Sequence, residues 1–167
     1  MELNEEILHK LQRKQLEILL EFDRVCNEMR LNYSISSGTL LGAIRHKGFI
    51  PWDDDVDVVM LREDYEKFLE EGKRYLPKNY FIQTYENDKN YPHNFVKIVD
   101  ISTTLREGYT SNIDMINGIF IDIFPIDRVS SNKIIRRIDN LLLSIIYLVK
   151  HSSNPGWIKK QSVAIIG

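Results

Sequence analysis

The chain has little of what staples or anchors a protein. Its 167 residues include a single cysteine, Cys26, so no internal disulfide can form and no cysteine-rich zinc site can be built. No apolar run is long. The longest, Leu141 to Val149, is interrupted by Ser144 and falls far short of the ~20 residues that span a bilayer. The first residues, Met1-Glu2-Leu3-Asn4-Glu5-Glu6, are acidic and lack the apolar segment of a secretory leader. Charge of one sign is also lacking: 22 Lys+Arg against 24 Asp+Glu leave a net −2, which argues against a general nucleic-acid binder. No internal repeat is visible. These absences lead us to expect a soluble cytoplasmic protein. The length and the 43% hydrophobic and 28% charged fractions are those of one globular domain.

What is present is ordered by periodicity. Leu8, Leu11, Ile18, Leu19, Phe22, Val25, Cys26 and Met29 recur at threes and fours, which predicts a long helix over residues 4–30 with Cys26 in the core. Leu31 to Ser36 alternates as a strand. Ser37-Gly38 breaks it, and a short helix from Thr39 to His46 follows, with Ser37 or Thr39 as its cap. Asp55 to Met60 reads as a second strand and Arg62 to Leu69 as a helix. Strands are expected at Tyr80–Tyr85, Asn94–Val99, Thr103–Arg106 and Ile119–Phe124, and a helix at Asn132–Lys150. The order predicts an α/β (α+β) chain with a mixed sheet flanked by helices.

Charge is unevenly distributed. Asp53 to Glu71 holds nine acids and two bases, and Arg128 to Lys160 holds seven bases and one acid. The basic end reads as a solvated helix face, or as a contact for an anionic partner such as a phosphorylated glycan or the inner membrane surface. The acidic end is harder to explain by stability. Trp52-Asp53-Asp54-Asp55-Val56-Asp57 places four like charges in five residues, and aspartate is a poor strand former. On a strand, Asp53, Asp55 and Asp57 would share one face. Asp55 and Asp57 side by side are costly unless a cation lies between them, and their oxygens suit Mg²⁺ or Mn²⁺. A calcium loop of the EF-hand type fails: from Asp53, the sixth and twelfth positions are Val58 and Asp64.

Upstream, Ser36-Ser37-Gly38-Thr39-Leu40-Leu41-Gly42 is a strand end, a glycine and a hydroxyl residue opening a helix. Gly38 and Thr39 thus form a candidate phosphate turn. Such a turn, followed by Asp-x-Asp, is the logic of the nucleotidyltransferase fold. A third carboxylate is expected from another strand. Asp122, alone in the apolar run Ile119 to Phe124, is the best candidate; the alternative is a structural aspartate capping a turn. Asp100 and Asp127 are weaker candidates at strand ends, where aspartates more often form turns.

The segment from Ser37 to Asp57, Ser37-Gly38-Thr39-Leu40-Leu41-Gly42-Ala43-Ile44-Arg45-His46-Lys47-Gly48-Phe49-Ile50-Pro51-Trp52-Asp53-Asp54-Asp55-Val56-Asp57, closely resembles the signature of the LicD family, which is related to fukutin and fukutin-related protein. Arg62 to Phe68, Asn94 to Ile98 and Gly118 to Asp127 match further blocks, so the resemblance covers roughly residues 5–130. It implies a nucleotidyltransferase-like domain over residues 1–130. It also implies transfer of phosphocholine or a similar phospho-alcohol from CDP-choline or another CDP-alcohol to a glycan or lipid-linked glycan acceptor. By position, the resemblance makes Asp55 and Asp57 the metal pair, Asp122 the third carboxylate, and Gly38 and Thr39 the phosphate turn. Members of that family continue well beyond the point matching Lys150. Residues 131–167, ending in the apolar tail Ala164-Ile165-Ile166-Gly167, are therefore expected to be the incomplete helical end of a truncated domain that binds its donor, transfers poorly and self-associates.

Four further residues accompany the acids. Arg45 can clamp phosphate oxygens or pair with Asp53 or Asp54. His46 can donate a hydrogen bond or shuttle a proton, or simply end a helix. Trp52 can stack on a base or a quaternary ammonium, or pack its loop down. Lys97 can reach the phosphates or sit on a surface edge. A nucleotidyltransferase moving a nucleoside monophosphate, and an inactive binding domain, are the competing readings.

Overall fold

The stripe of leucine, isoleucine, phenylalanine and methionine in the first thirty residues dictates helix α1 (Glu5–Met29), and α1 buries it as expected, Leu19 alone remaining half-exposed. Arg30 takes a left-handed φ of 56°, and the Leu31 N–H bonds back to the Cys26 carbonyl at 2.8 Å, closing the helix. Cys26 lies in the core, and burial pushes its thiol up to about 12, so it is an inert packing residue.

Beyond α1 the chain forms β1 (Tyr33–Ile35), α2 (Ser37–Arg45), β2 (Asp57–Leu61), α3 (Arg62–Glu71), β3 (Tyr80–Gln83), β4 (Val96–Asp100), β5 (Ile119–Ile126) and α4 (Lys133–Ser152). The computed structural model describes residues 5–106, 108 and 112–152, with side chains in α4 as far as residue 146. The tail residues 163–166 lie outside the described residues. One five-stranded sheet runs β1-β2-β5-β4-β3. The β2–β5 pair is parallel and the other three are antiparallel, which makes the mixed sheet that the element order predicts.

Strand alternation divides the sheet into two chemical faces. Val56, Val58, Met60, Val96, Ile98, Ile121 and Ile123 join Phe22 of α1 and Phe68 of α3 in one buried cluster. The rings of Phe22 and Phe68 meet edge to face at 5.2 Å. The residues between them, Asp57, Lys97 and Asp122, belong to the opposite face.

The structure corrects three local expectations. Residues 103–106 form no strand; Thr103 instead donates to the Asp100 carbonyl and accepts the Ile119 N–H, at 2.7 Å each, tying the turn together. Helix α2 starts at Ser37, with Ser36 in the cap position making no side-chain capping bond. The acidic strand begins at Asp57 rather than Asp55, because the preceding backbone is bonded to α1. In α4, Ile134, Ile135, Ile138, Leu141, Leu142, Leu143, Ile145 and Ile146 are exposed. No helix among the described residues is long and apolar enough to cross a membrane.

Candidate functional site

The acidic segment is held from behind by two glutamines. The Gln12 amide donates to the Asp53 carbonyl at 2.8 Å and to the Ile50 carbonyl at 3.3 Å. The Gln15 amide donates to the Asp54 carbonyl at 2.7 Å. Both glutamines are buried on the inner face of α1. They satisfy a stretch of backbone that has no strand beside it, so residues 53–55 need not follow strand alternation. Val56 then accepts the Asp122 N–H at 2.8 Å and hands the chain to β2.

Helix α2 is locked to the same strand. The Ser36 N–H donates to the Asp57 carbonyl at 3.0 Å, and the Asp57 N–H donates to Thr39 Oγ1 at 2.9 Å. Ser37 opens α2 at a left-handed φ of 48°. Gly38 lies directly under Asp53: a Cβ there would stand 2.6 Å from Asp53 Oδ2. The glycine that the sequence suggests for close approach of a phosphate thus leaves room for a carboxylate over the first turn of α2.

Two sets of groups converge. One oxygen each of Asp53, Asp54 and Asp55 lies within 4.8 Å of the others, the one such trio of carboxylates among the described residues. Asp54 therefore joins the cluster that strand alternation would have turned it away from. The second set is a row across three strands. Asp57 is the register partner of Asp122, and Asp122 that of Lys97. Asp122 sits in mid-strand, so it caps no turn. Lys97 is 2% exposed on an interior strand, which overturns the surface-edge alternative. Its Nζ lies 3.5 Å from Asp122 Oδ1 and 3.2 Å from the centre of the Phe120 ring.

The electrostatics follow from crowding. Burial, reinforced by Asp57, Asp53 and Asp54, pushes the Asp55 carboxyl up to about 7. Burial also raises Asp53, helped by Asp54, and raises Asp57 against the opposing pull of Ser37 and Lys97. Asp53 Oδ2 is buried without a hydrogen-bond partner among the described residues. A set of hard oxygen donors, with Asp53 and Asp55 held away from their charged state and one oxygen orphaned, fits a divalent cation of the Mg²⁺ or Mn²⁺ type.

Of the remaining expected residues, Arg45 ends α2 and donates from Nε to His46 Nε2 at 3.0 Å. His46 occupies the helix C-cap, its N–H bonded to the Gly42 carbonyl at 2.7 Å. Trp52 is 71% exposed and meets the His46 ring edge to face at 6.4 Å, so it does not pack the loop down. Asp127 is engaged by Arg62 through two bonds of 2.8 Å. Asp100 closes the turn after β4 by accepting from the Ser102 N–H and hydroxyl. Gln12 and Gln15 were not anticipated as site residues, although their signal was available: two amides set into an apolar helical stripe.

An α/β domain whose two adjacent parallel strands set Asp57 and Asp122 side by side, beside a helix N-terminus, has the form of a nucleotidyl-transfer domain. The family model described as LicD/FKTN/FKRP, nucleotidyltransferase domain, matches residues 30–139, and the chain belongs to that family. Over 107 residues it is 39% identical to the lipopolysaccharide cholinephosphotransferase LicD of Haemophilus influenzae (strain ATCC 51907 / DSM 11121 / KW20 / Rd), covering 64% of this chain and 40% of that protein. Over 48 residues it is 42% identical to uncharacterized proteins of Rickettsia prowazekii (strain Madrid E) and Rickettsia typhi (strain ATCC VR-144 / Wilmington), 29% of this chain and 18% and 16% of theirs. The chain thus spans less than half the length of the relatives it matches.

Proposed function

We propose that this chain carries the phosphate-handling domain of a phosphotransferase that moves phosphocholine, or a similar phospho-alcohol, from a CDP-linked donor to a sugar hydroxyl of a cell-surface glycan precursor. The observation that carries the reading is the convergence of Asp53, Asp54 and Asp55 beside the Asp57–Asp122–Lys97 row. Likeness to the Haemophilus cholinephosphotransferase supplies the transferred group. Asp53, Asp54 and Asp55 would hold the metal, with Asp57 and Asp122 next to them. A bound divalent cation offsets the negative charge of a diphosphate.

The chain's own groups do the rest. Gln12, Gln15 and Thr39 fix the acids before substrate arrives, so little reorganisation is left for the reaction. Lys97, paired with Asp122, contributes positive charge beneath the phosphates. Arg45 and the first turn of α2 offer donors to phosphate oxygens, and exposed Trp52 offers a face for a base or an ammonium group. The acceptor hydroxyl attacks the β-phosphorus in line. Its oxygen–phosphorus bond forms as the bridging phosphorus–oxygen bond breaks, CMP leaves, and a carboxylate of the cluster takes the hydroxyl proton.

The test is a nucleotide-release assay on CDP-choline with a glycan acceptor, with and without Mg²⁺ or Mn²⁺, beside calorimetry of donor binding. The expected result is CMP released only with metal. Pyrophosphate released from CTP would identify transfer of a nucleoside monophosphate instead. Donor binding with no CMP released, by this chain and by a chain extended to its relatives' length, would identify a binding domain.

A further inference from the structure

Helix α4 is built with two chemical faces and packs neither of them. Asn132 caps it, its Oδ1 accepting the Ile134 N–H at 2.9 Å. Ile134, Ile138, Leu141, Leu142 and Ile145 then follow at the intervals of one helical side. Lys133, Arg136, Arg137, Asn140 and Ser144 recur at the same intervals on the opposite side. Every residue from 131 to 146 is exposed, the apolar row included. A helix draws most of its stability from burying such a row, and here the body of the protein does not cover it. A continuous apolar surface of this kind marks an interaction site.

The bases narrow the choice of partner. Lys133 and Arg136 stand in the first turn, at the positive end of the helix dipole, where a cation is disfavoured, and that turn holds no acid. Asp139 is the one acid of the whole helix. Lys133, Arg136 and Arg137 make no ion pair among the described residues, whereas Arg128, ahead of the helix, reaches Glu63 at 3.7 Å. A second copy of α4 would cover the apolar row and leave these bases unanswered. A polyanion such as a nucleic acid or a phosphorylated glycan would answer the bases and leave the row in water. An anionic lipid surface does both, with acyl chains for the row and phosphates for the bases. The helix is not apolar enough to cross a bilayer, so it would lie along one.

We infer that α4 docks the protein on an anionic membrane surface, its isoleucine and leucine row set among the acyl chains and its bases at the lipid phosphates. The inference rests on α4 alone and not on the proposed transfer reaction.

Vesicles of phosphatidylcholine, alone or with phosphatidylglycerol at roughly 2:1, are the probes. The chain should sediment with the anionic vesicles at least roughly tenfold more tightly than with the neutral ones at low salt, and the difference should shrink as salt rises. Arg136→Gln/Arg137→Gln should weaken binding to the anionic vesicles roughly tenfold. Leu141→Gln/Ile145→Gln, at exposed positions, should remove it without lowering the melting temperature. Cys26 is buried, so Ile138→Cys and Asn140→Cys can each be labelled selectively with an environment-sensitive dye. On anionic vesicles the emission of the dye at 138 should move to the blue, and that at 140 should not. Equal binding to both vesicles, the same response at 138 and 140, or full binding by Leu141→Gln/Ile145→Gln would each overturn the inference. So would a chain that ignores vesicles and forms a dimer lost in that variant, which would make the partner a second copy. Loss of vesicle binding on extending the chain to its relatives' length would assign the apolar row to the added segment and overturn it too. None of these readouts uses nucleotide release, so failure here and failure of the transfer reading are distinguishable.

Discussion

Asp100 is fully buried and Asp53 and Asp55 are half-buried, yet the protein treats them in opposite ways. Asp100, 0% exposed at the end of β4, is supplied with Lys14 at 3.1 Å, Asn79 at 3.1 Å and Ser102 through two bonds at 3.0 and 2.6 Å. Burial pushes its carboxyl up, but those partners outweigh it and hold the group below its ordinary value. In the cluster the two glutamines reach backbone carbonyls, Gln12 that of Asp53 and Gln15 that of Asp54, while burial and the neighbouring carboxylates push the Asp53 and Asp55 carboxyls up. A structural acid comes with its counter-charge built in; an acid cluster without one is shaped for a cation that arrives from outside.

Substitutions can test that contrast, beginning with the largest effect. Asp55→Asn/Asp57→Asn should abolish the rise in melting temperature caused by Mg²⁺ or Mn²⁺ and reduce metal-dependent CMP release by at least about a hundredfold, while leaving a folded protein. An unchanged metal response in calorimetric scans would remove the assignment. Asp122→Asn should also cost turnover by about two orders of magnitude; a lower melting temperature with normal turnover in the folded fraction would make Asp122 structural. Asp100→Ala should do the reverse, losing about 3 kcal/mol in urea unfolding and leaving the metal response intact.

Smaller effects refine the picture. Gln15→Leu leaves the Asp54 carbonyl without its donor and should cost about 1–2 kcal/mol, with a weaker metal midpoint in the same scans. A metal midpoint equal to the parent's would confine Gln15 to stability. The metal-free protein should also lose stability as pH rises from about 4 to about 7. In that window Asp55 keeps its proton when folded and sheds it when unfolded, so the folded state binds more protons and the slope is negative. Asp55→Asn should flatten that slope in melting curves taken across the range.

Much of this could be read from the residues alone. The stripe of α1, the expectation of a third carboxylate, Asp122, from another strand than the Asp-x-Asp segment, and the turn-forming role of Asp100 all follow from periodicity and residue chemistry. What escaped has a common cause. Asp54 joins Asp53 and Asp55 because the backbone there is pinned by Gln12 and Gln15, some forty residues earlier, and a local pattern carries no sign of a distant donor. Residues 103–106 look strand-like, yet the hydroxyl of Thr103 bends them into a turn. Lys97 looks like an edge residue until the sheet order shows strands on both its sides.

The sheet order also fixes when the site can exist. Strand β5, the last strand among the described residues, is the middle strand of the sheet. Until residues 119–126 leave the ribosome, β1–β2 and β3–β4 are two separate antiparallel pairs, and β2 and β4 each show an open edge. Asp57 then meets Asp122 across 65 residues of chain, a closure that local contacts cannot hasten. Insertion of β5 covers both edges and brings Asp122 beside Asp57 and Lys97 in a single event. Time-resolved exchange protection of the Asp122 N–H, which bonds the Val56 carbonyl, would therefore report the arrival of that one strand.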